Sequence, residues 1–198
     1  PADAELYATT TAMRRYARSG ASANTKQLEE AEAERELFCA ARDAVPESRT
    51  LFNNPCLDIL AVGEQMMLGE LEYHKGNFDK AFEHLRRSVE IDDNMTYDEP
   101  WGWMQPTRHA LGALLLEQGH FAEAEAIYRA DLGLDSTLSR ACQHPGNVWS
   151  LHGLHECLTQ RGETVEAAHI KLQLDKAVAR AAVPVKSSCF CRTNVKAA

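Results

Sequence analysis

Residues 106–128, PTRHALGALLLEQGHFAEAEAIY, read as two short helices joined at Gly119. Moving 43 residues upstream reaches MLGELEYHKGNFDKAFEHL, with Leu68-Gly69 for Leu111-Gly112, Gly76 for Gly119, Phe78 for Phe121 and Ala81 for Ala124. Moving 43 residues downstream reaches HECLTQRGETVEAAHI, where Gly162 and Ala167 keep their places, while His155 stands for the small residue and Thr164 for the aromatic. Three copies at one fixed interval make an internal repeat, and such a repeat decides the architecture before any local propensity does.

The recurring run Leu-Gly, then Gly, an aromatic and Ala resembles the tetratricopeptide repeat over residues 57–181. The small residues at Gly69 and Gly112 let the two helices of one hairpin approach closely, and Gly76 and Gly119 give the turn a permissive backbone. The family period is about 34 residues, so an interval of 43 adds roughly nine residues to each connection between repeats. The implied fold class is all-α, a short solenoid of about three helical hairpins with an N-terminal capping helix. Such folds carry many roles, so the resemblance alone names no function.

Around this core the chain divides readily. Residues 1–25 read as an N-terminal arm or linker, with at most a short helix anchored by Leu6, Met13 and Tyr16. Residues 26–45 favour a helix stopped by Pro46; they have no turn glycine, so this helix is taken as the cap of the first repeat. The repeat domain covers residues 26–181, with Asn54 as the expected cap of its first helix and Pro55 at the first helical position. Residues 182–198 form a Cys-containing tail expected to fold back on the groove.

The chain has 198 residues, 44% of them hydrophobic, and a net charge of -8 without any Lys/Arg-rich run. This supports a core and argues against nucleic acid or an anionic membrane as partner, since both need a concentrated basic face. No apolar run approaches the ~18 residues of a membrane span, and the first ten residues lack a basic-then-apolar signal pattern. The six cysteines are few for a disulfide framework in a chain of this length, which points to a reducing, cytoplasmic setting.

In the family, the first helix of each hairpin lines the concave face. The resemblance therefore turns Met66, His109 and His152 into the groove at equivalent positions, with Glu70 and Glu156 one turn on and Trp149 one turn back. Both long connections run to the start of the next groove-lining helix, so Trp101, Trp103, Cys142 and His144 are expected near those side chains. The seven residues from Ala182 to Cys189 could span ~23 Å, enough to bring the tail to the groove mouth.

Met66, His109, His152, His155, Cys142, His144, Cys189 and Cys191 then make a set of soft ligands, which suits copper first and zinc second. Cys189 and Cys191, two residues apart, are read as too close for an easy disulfide but able to meet one ion. A blander account stands beside each residue: a lone histidine on such a helix is a groove-lining polar group, and Cys39, Cys56 and Cys157 are small buried hydrophobes. The two tryptophans either pack the connection or form a lid. Asp98 and Glu99 are solvent-facing or capping residues, or partners that orient a groove histidine.

Three functions fit these residues. The first is a metal-binding repeat protein, a carrier or small metalloenzyme with Glu156 as acid/base and a small molecule in the groove. The second is an interaction module that holds a peptide in a groove built from Glu70, Trp101, Trp103 and Trp149. The third is a groove filled by the chain's own tail. An exposed last helix leaves pairing with a second copy open. No nucleotide or phosphate-cradling motif is present.

Overall fold

The computed structural model describes residues 7–192. Leu6, named above as an anchor, and the tail residues 193–198 lie outside them. The chain forms two compact units, Pro1–Thr107 and Arg108–Ala198. Both are helical: α1 (Ala8–Asn24), α2 (Leu28–Asp43), α3 (Cys56–His74) and α4 (Phe78–Asp93), then α5 (Thr107–Glu117), α6 (Phe121–Leu132), α7 (Val148–Arg161) and α8 (Thr164–Val178). The described strands are one antiparallel pair, β1 (Thr50–Leu51) with β2 (Asn54–Pro55). The fold class is all-α helical repeat.

The repeated glycines act as their spacing requires. A Cβ added to Gly69 of α3 would lie 2.5 Å from Leu85 and 3.2 Å from the Ala81 carbonyl, both on α4. A Cβ on Gly112 of α5 would lie 2.5 Å from the Tyr128 ring on α6. The turns share one hydrogen-bond pattern. Gly76 (φ +85°) donates to the Tyr73 carbonyl at 2.9 Å and Asn77 to Glu72 at 2.9 Å. Gly119 (φ +80°) and His120 repeat this at 3.1 and 2.9 Å onto Leu116 and Leu115. These paired bonds satisfy carbonyls that a helix end otherwise leaves open.

The reading of residues 1–25 as an arm or linker, and of residues 26–45 as a lone cap, needs correction. α1 and α2 form a further hairpin, and α1 also packs against α3. Its turn has the same two bonds, Lys26 N–H to the Ala23 carbonyl at 3.0 Å and Gln27 N–H to Ser22 at 2.8 Å. Lys26, not glycine, holds the left-handed conformation, with φ 63°. Fifty residues separate Ser19, Lys26, Leu28 and Ala31 from Gly69, Gly76, Phe78 and Ala81, so this hairpin is a copy of the repeat with substituted residues. Ser19 is fully buried and donates to the Ala31 carbonyl at 2.9 Å, in the place where Gly69 meets Ala81.

α1 is anchored mostly by small residues, with Tyr16 packed against the core as expected. Ala8, Ala12, Ser19 and Ala23 are buried, whereas Met13 is exposed. Arg15 and Arg18 close the hairpin by pairing with Glu34 of α2 at 2.9 and 2.5 Å. Asn54, expected to cap α3, instead ties down the connection after α4: its amide donates to the Thr96 carbonyl and to Asp98, each at 2.7 Å, and accepts from Thr96 N–H at 2.9 Å. Asp98 is consequently buried rather than solvent-facing and also accepts from Asn53 N–H at 3.2 Å.

Two substitutions test these contacts in urea unfolding. Gly112→Ala gains helix propensity of up to about 1 kcal/mol but drives a methyl into Tyr128, so a net loss of about 1–2 kcal/mol is expected. Lys26→Gly removes a left-handed side-chain penalty and is expected to raise stability by about 0.5–1 kcal/mol, after allowing for the looser unfolded chain. A stabilised Gly112→Ala, or a destabilised Lys26→Gly, would contradict this account of the hairpins.

Candidate functional site

In the second unit, polar side chains converge on Asp131, in the last turn of α6. The residue is 1% exposed. His109, in the first turn of α5, places Nε2 3.1 Å from its Oδ2. His144, from the loop between α6 and α7, places Nδ1 2.8 Å from Oδ1 and donates its backbone N–H to the Asp131 carbonyl at 2.6 Å. Ser150 also donates its hydroxyl to Oδ2, and its Oγ lies 2.9 Å from His109 Nε2. Asn147 fixes that serine by capping α7, accepting from Trp149 N–H at 2.9 Å and Ser150 N–H at 3.3 Å.

The residue types Ser, His and Asp invite comparison with an acyl-transfer triad, but the bonding differs. In such a triad the imidazole bridges serine and carboxylate with different nitrogens. Here serine and carboxylate meet the same nitrogen, and the serine proton points at Asp131. A proton on His109 Nε2 shared between Oδ2 and Oγ satisfies all three groups. The arrangement holds a buried carboxylate in place and does not activate the hydroxyl. Burial alone would raise the Asp131 pKa; hydrogen bonds from His109, His144 and Ser150 outweigh it and hold the carboxyl well below the usual range.

The tail lies against the same unit. Tyr128 is fully buried, its ring against Gly112 and Gly153, and its hydroxyl meets Ser188 Oγ at 2.5 Å. Phe190 stacks edge-on to Trp149 at 5.0 Å, and Arg192 reaches both carboxylate oxygens of Glu156 at 2.9 Å. Glu156, the candidate acid/base, is therefore engaged in an ion pair. Cys189 and Cys191 are buried and joined to each other as a disulfide, contrary to the expectation that two residues of separation disfavour one.

The other proposed ligands have partners or settings of their own. Cys142 accepts from Ser139 at 3.3 Å. His152 buries an Nδ1 that finds no partner among the described residues, and burial lowers its pKa. His155 is half-buried, and its pKa is lowered by burial too. In the first unit Met66 is fully buried, and its sulfur accepts from Trp103 Nε1 at 3.0 Å. Among the described residues, no group of three or more His, Cys, Asp or Glu side chains could hold a metal ion. The copper or zinc set is thus not brought together: two thiols are oxidised, Met66 is occupied, and His109 and His144 serve Asp131.

The partner-binding residues of the first unit have also moved inside. Trp103 is 5% exposed, lies on Gly63 of α3 and meets Tyr16 of α1 edge-on at 5.1 Å. It packs the connection onto the hairpins. Glu70 is buried with Asn24 Nδ2 at 3.4 Å, and burial pushes its pKa up to about 7 against that weak opposing bond. Trp101 stays partly exposed. Sequence reasoning missed Asp131, Ser150, Ser188 and Tyr128. Asp131 did leave one signal, since an acid in the last turn of a helix opposes the helix dipole and calls for compensating donors.

The buried carboxylates Asp131 and Glu70 are expected to act oppositely with pH. Asp131 has a depressed folded pKa, so its stabilisation is present above the unfolded value of ~3.9 and is lost as pH falls toward the folded one. Asp131→Asn should flatten acid unfolding below about pH 4 and cost on the order of 3 kcal/mol at neutral pH. Glu70 has a raised folded pKa, so stability is greatest below ~4.3 and falls as pH rises to about 7. Glu70→Gln should therefore stabilise at pH 8, by on the order of 3 kcal/mol, and change little at pH 4. Urea titrations at pH 3, 4, 6 and 8 separate the two.

Residues 64–130, from the middle of α3 almost to the end of α6, match the tetratricopeptide repeat family. No curated protein and no solved structure gives a significant match to the chain. The matched segment includes the Gly69 and Gly112 contacts and the turns at Gly76 and Gly119. The helical hairpins, the shared turn geometry and this match agree that residues 64–130 are similar to the tetratricopeptide repeat family.

Proposed function

We propose that this chain is a protein-interaction module whose α7 face receives a polypeptide segment, a place that its own residues 187–192 take in this structure. The observation that carries the reading is the pair of contacts Phe190 on Trp149 and Arg192 on Glu156. An aromatic ring and a cation two residues apart meet an aromatic ring and a carboxylate seven residues apart on one helix, which is how a short peptide is read. The repeat family supports it as well, since such hairpin arrays present helix faces to other proteins.

Phe190 is 71% exposed while it touches Trp149. Its ring is therefore only partly desolvated, and a partner that covers it more fully would gain apolar burial that the tail does not. The segment chemistry is an aromatic residue followed two positions later by arginine. In the chain itself the tail competes at the high effective concentration of a tethered ligand, so an outside segment must displace it.

A labelled peptide of residues 184–192, oxidised, measures this by fluorescence anisotropy. The full chain with Phe190→Ala and Arg192→Ala is expected to bind the peptide at least about tenfold more tightly than the unaltered chain, because its own tail has lost both anchors. Adding Trp149→Ala should abolish the gain. A folded double variant that binds the peptide no better than the parent would refute the proposal.

A further inference from the structure

The first unit contains a recess of about 550 Å³, well within the size range of small-molecule sites. Four separate stretches of chain wall it: α1, the residues around β1, the start of α3, and the connection after α4. Met13, Leu51, Ile59, Trp103 and Met104 give it apolar walls, with Met104 71% and Leu51 44% exposed. Among the described residues of the lining, Arg49 is the only charged side chain. Among the described residues no carboxylate or other side-chain partner engages its guanidinium.

We propose that this recess binds a small monocarboxylate with an unbranched apolar tail, the tail against the methionine and tryptophan walls and the carboxylate on Arg49. An arginine fork matches a carboxylate with two parallel N–H···O bonds, and a single cation among apolar walls selects a single anionic end group. The backbone that presents Arg49 is fixed: its N–H donates to the Pro46 carbonyl and its carbonyl accepts from Cys56 N–H, both at 2.9 Å. The floor is fixed as well. Trp103 is held by its bond to Met66, and a Cβ on Gly102 would meet Met95 at 2.5 Å and Ile59 at 3.3 Å, so the connection is pressed onto α3. The methionines at the mouth adapt to tails of different length.

Isothermal titration of the full chain with sodium octanoate, sodium decanoate and 1-decanol tests the assignment. One decanoate per chain is expected, bound roughly tenfold more tightly than octanoate, as two added methylenes imply. Arg49→Gln should weaken decanoate by at least about tenfold and leave 1-decanol unchanged. Leu51→Asp, on an exposed wall position, should weaken both ligands while the circular dichroism melt is retained. Absence of decanoate binding at 1 mM, several equivalents bound per chain, or equal decanoate affinity in Arg49→Gln would overturn the proposal. So would binding of a peptide with an apolar C-terminal residue while decanoate stays silent, which would give the recess to a polypeptide end. Neither Phe190 nor Arg192 enters these readouts.

Discussion

Close approach between the paired helices is the constraint on which the remaining structure depends. It is achieved by removing a side chain at one point and reversing the backbone at another. Gly69 admits Leu85 and the Ala81 carbonyl; Gly112 admits the Tyr128 ring. Tyr128 carries this further than packing, because its ring also lies on Gly153 and its hydroxyl meets Ser188. One aromatic side chain thereby ties α5, α6, α7 and the tail together. A buried phenol without a partner would lose a hydrogen bond's worth of solvation, so Ser188 is required by Tyr128 as much as the reverse.

What could be read from sequence was what sterics express as residue identity. Glycine at a left-handed turn and glycine at a tight crossing leave a fixed spacing, and that spacing marks the hairpins α3–α4 and α5–α6, with α7–α8 as a weaker third copy. The α1–α2 hairpin obeys the same two geometric demands with other residues. Lys26 accepts the left-handed turn, and Ser19 replaces glycine at the crossing by turning its hydroxyl onto the Ala31 carbonyl. Because α1 buries alanines, its contact face has no large apolar stripe to mark it. Pattern recognition followed the preferred residue, whereas the chain needs only an allowed one.

The site was less legible for a different reason. Repeat spacing assigns Met66, Glu70 and His109 to equivalent faces of their helices, and all three are buried. It cannot say what lies opposite, because that is decided by loops and by the tail, whose paths have no period. Met66 is met by Trp103, His109 by Asp131 and Ser150, and Glu156 by Arg192. Soft ligand types in register suggested a metal, yet Met66 and His109 already have hydrogen-bonding tasks, and the buried His152 Nδ1 has no partner among the described residues. Two of the buried acids show how strongly the opposing groups matter. Asp131 has donors on both oxygens and stays ionised, whereas Glu70 has one long bond from Asn24 and is pushed toward neutrality.

The long connections account for these differences together. In each unit the stretch after the second helix of a hairpin returns across a side chain of a first helix: residues 94–106 bring Trp103 to Met66 of α3, and residues 133–147 bring the His144 ring within 6.5 Å of that of His109 of α5, while His144 also bonds Asp131 of α6. The roughly nine residues by which the interval exceeds the tetratricopeptide period thus supply side chains that cover Met66 in one unit and His109 in the other. Recognition is then confined to what the coverings leave open. In the first unit that opening is the recess beside Arg49, and in the second it is the α7 face under Phe190. Each unit then offers its own opening, the one proposed here for an apolar acid and the other for an aromatic-basic segment.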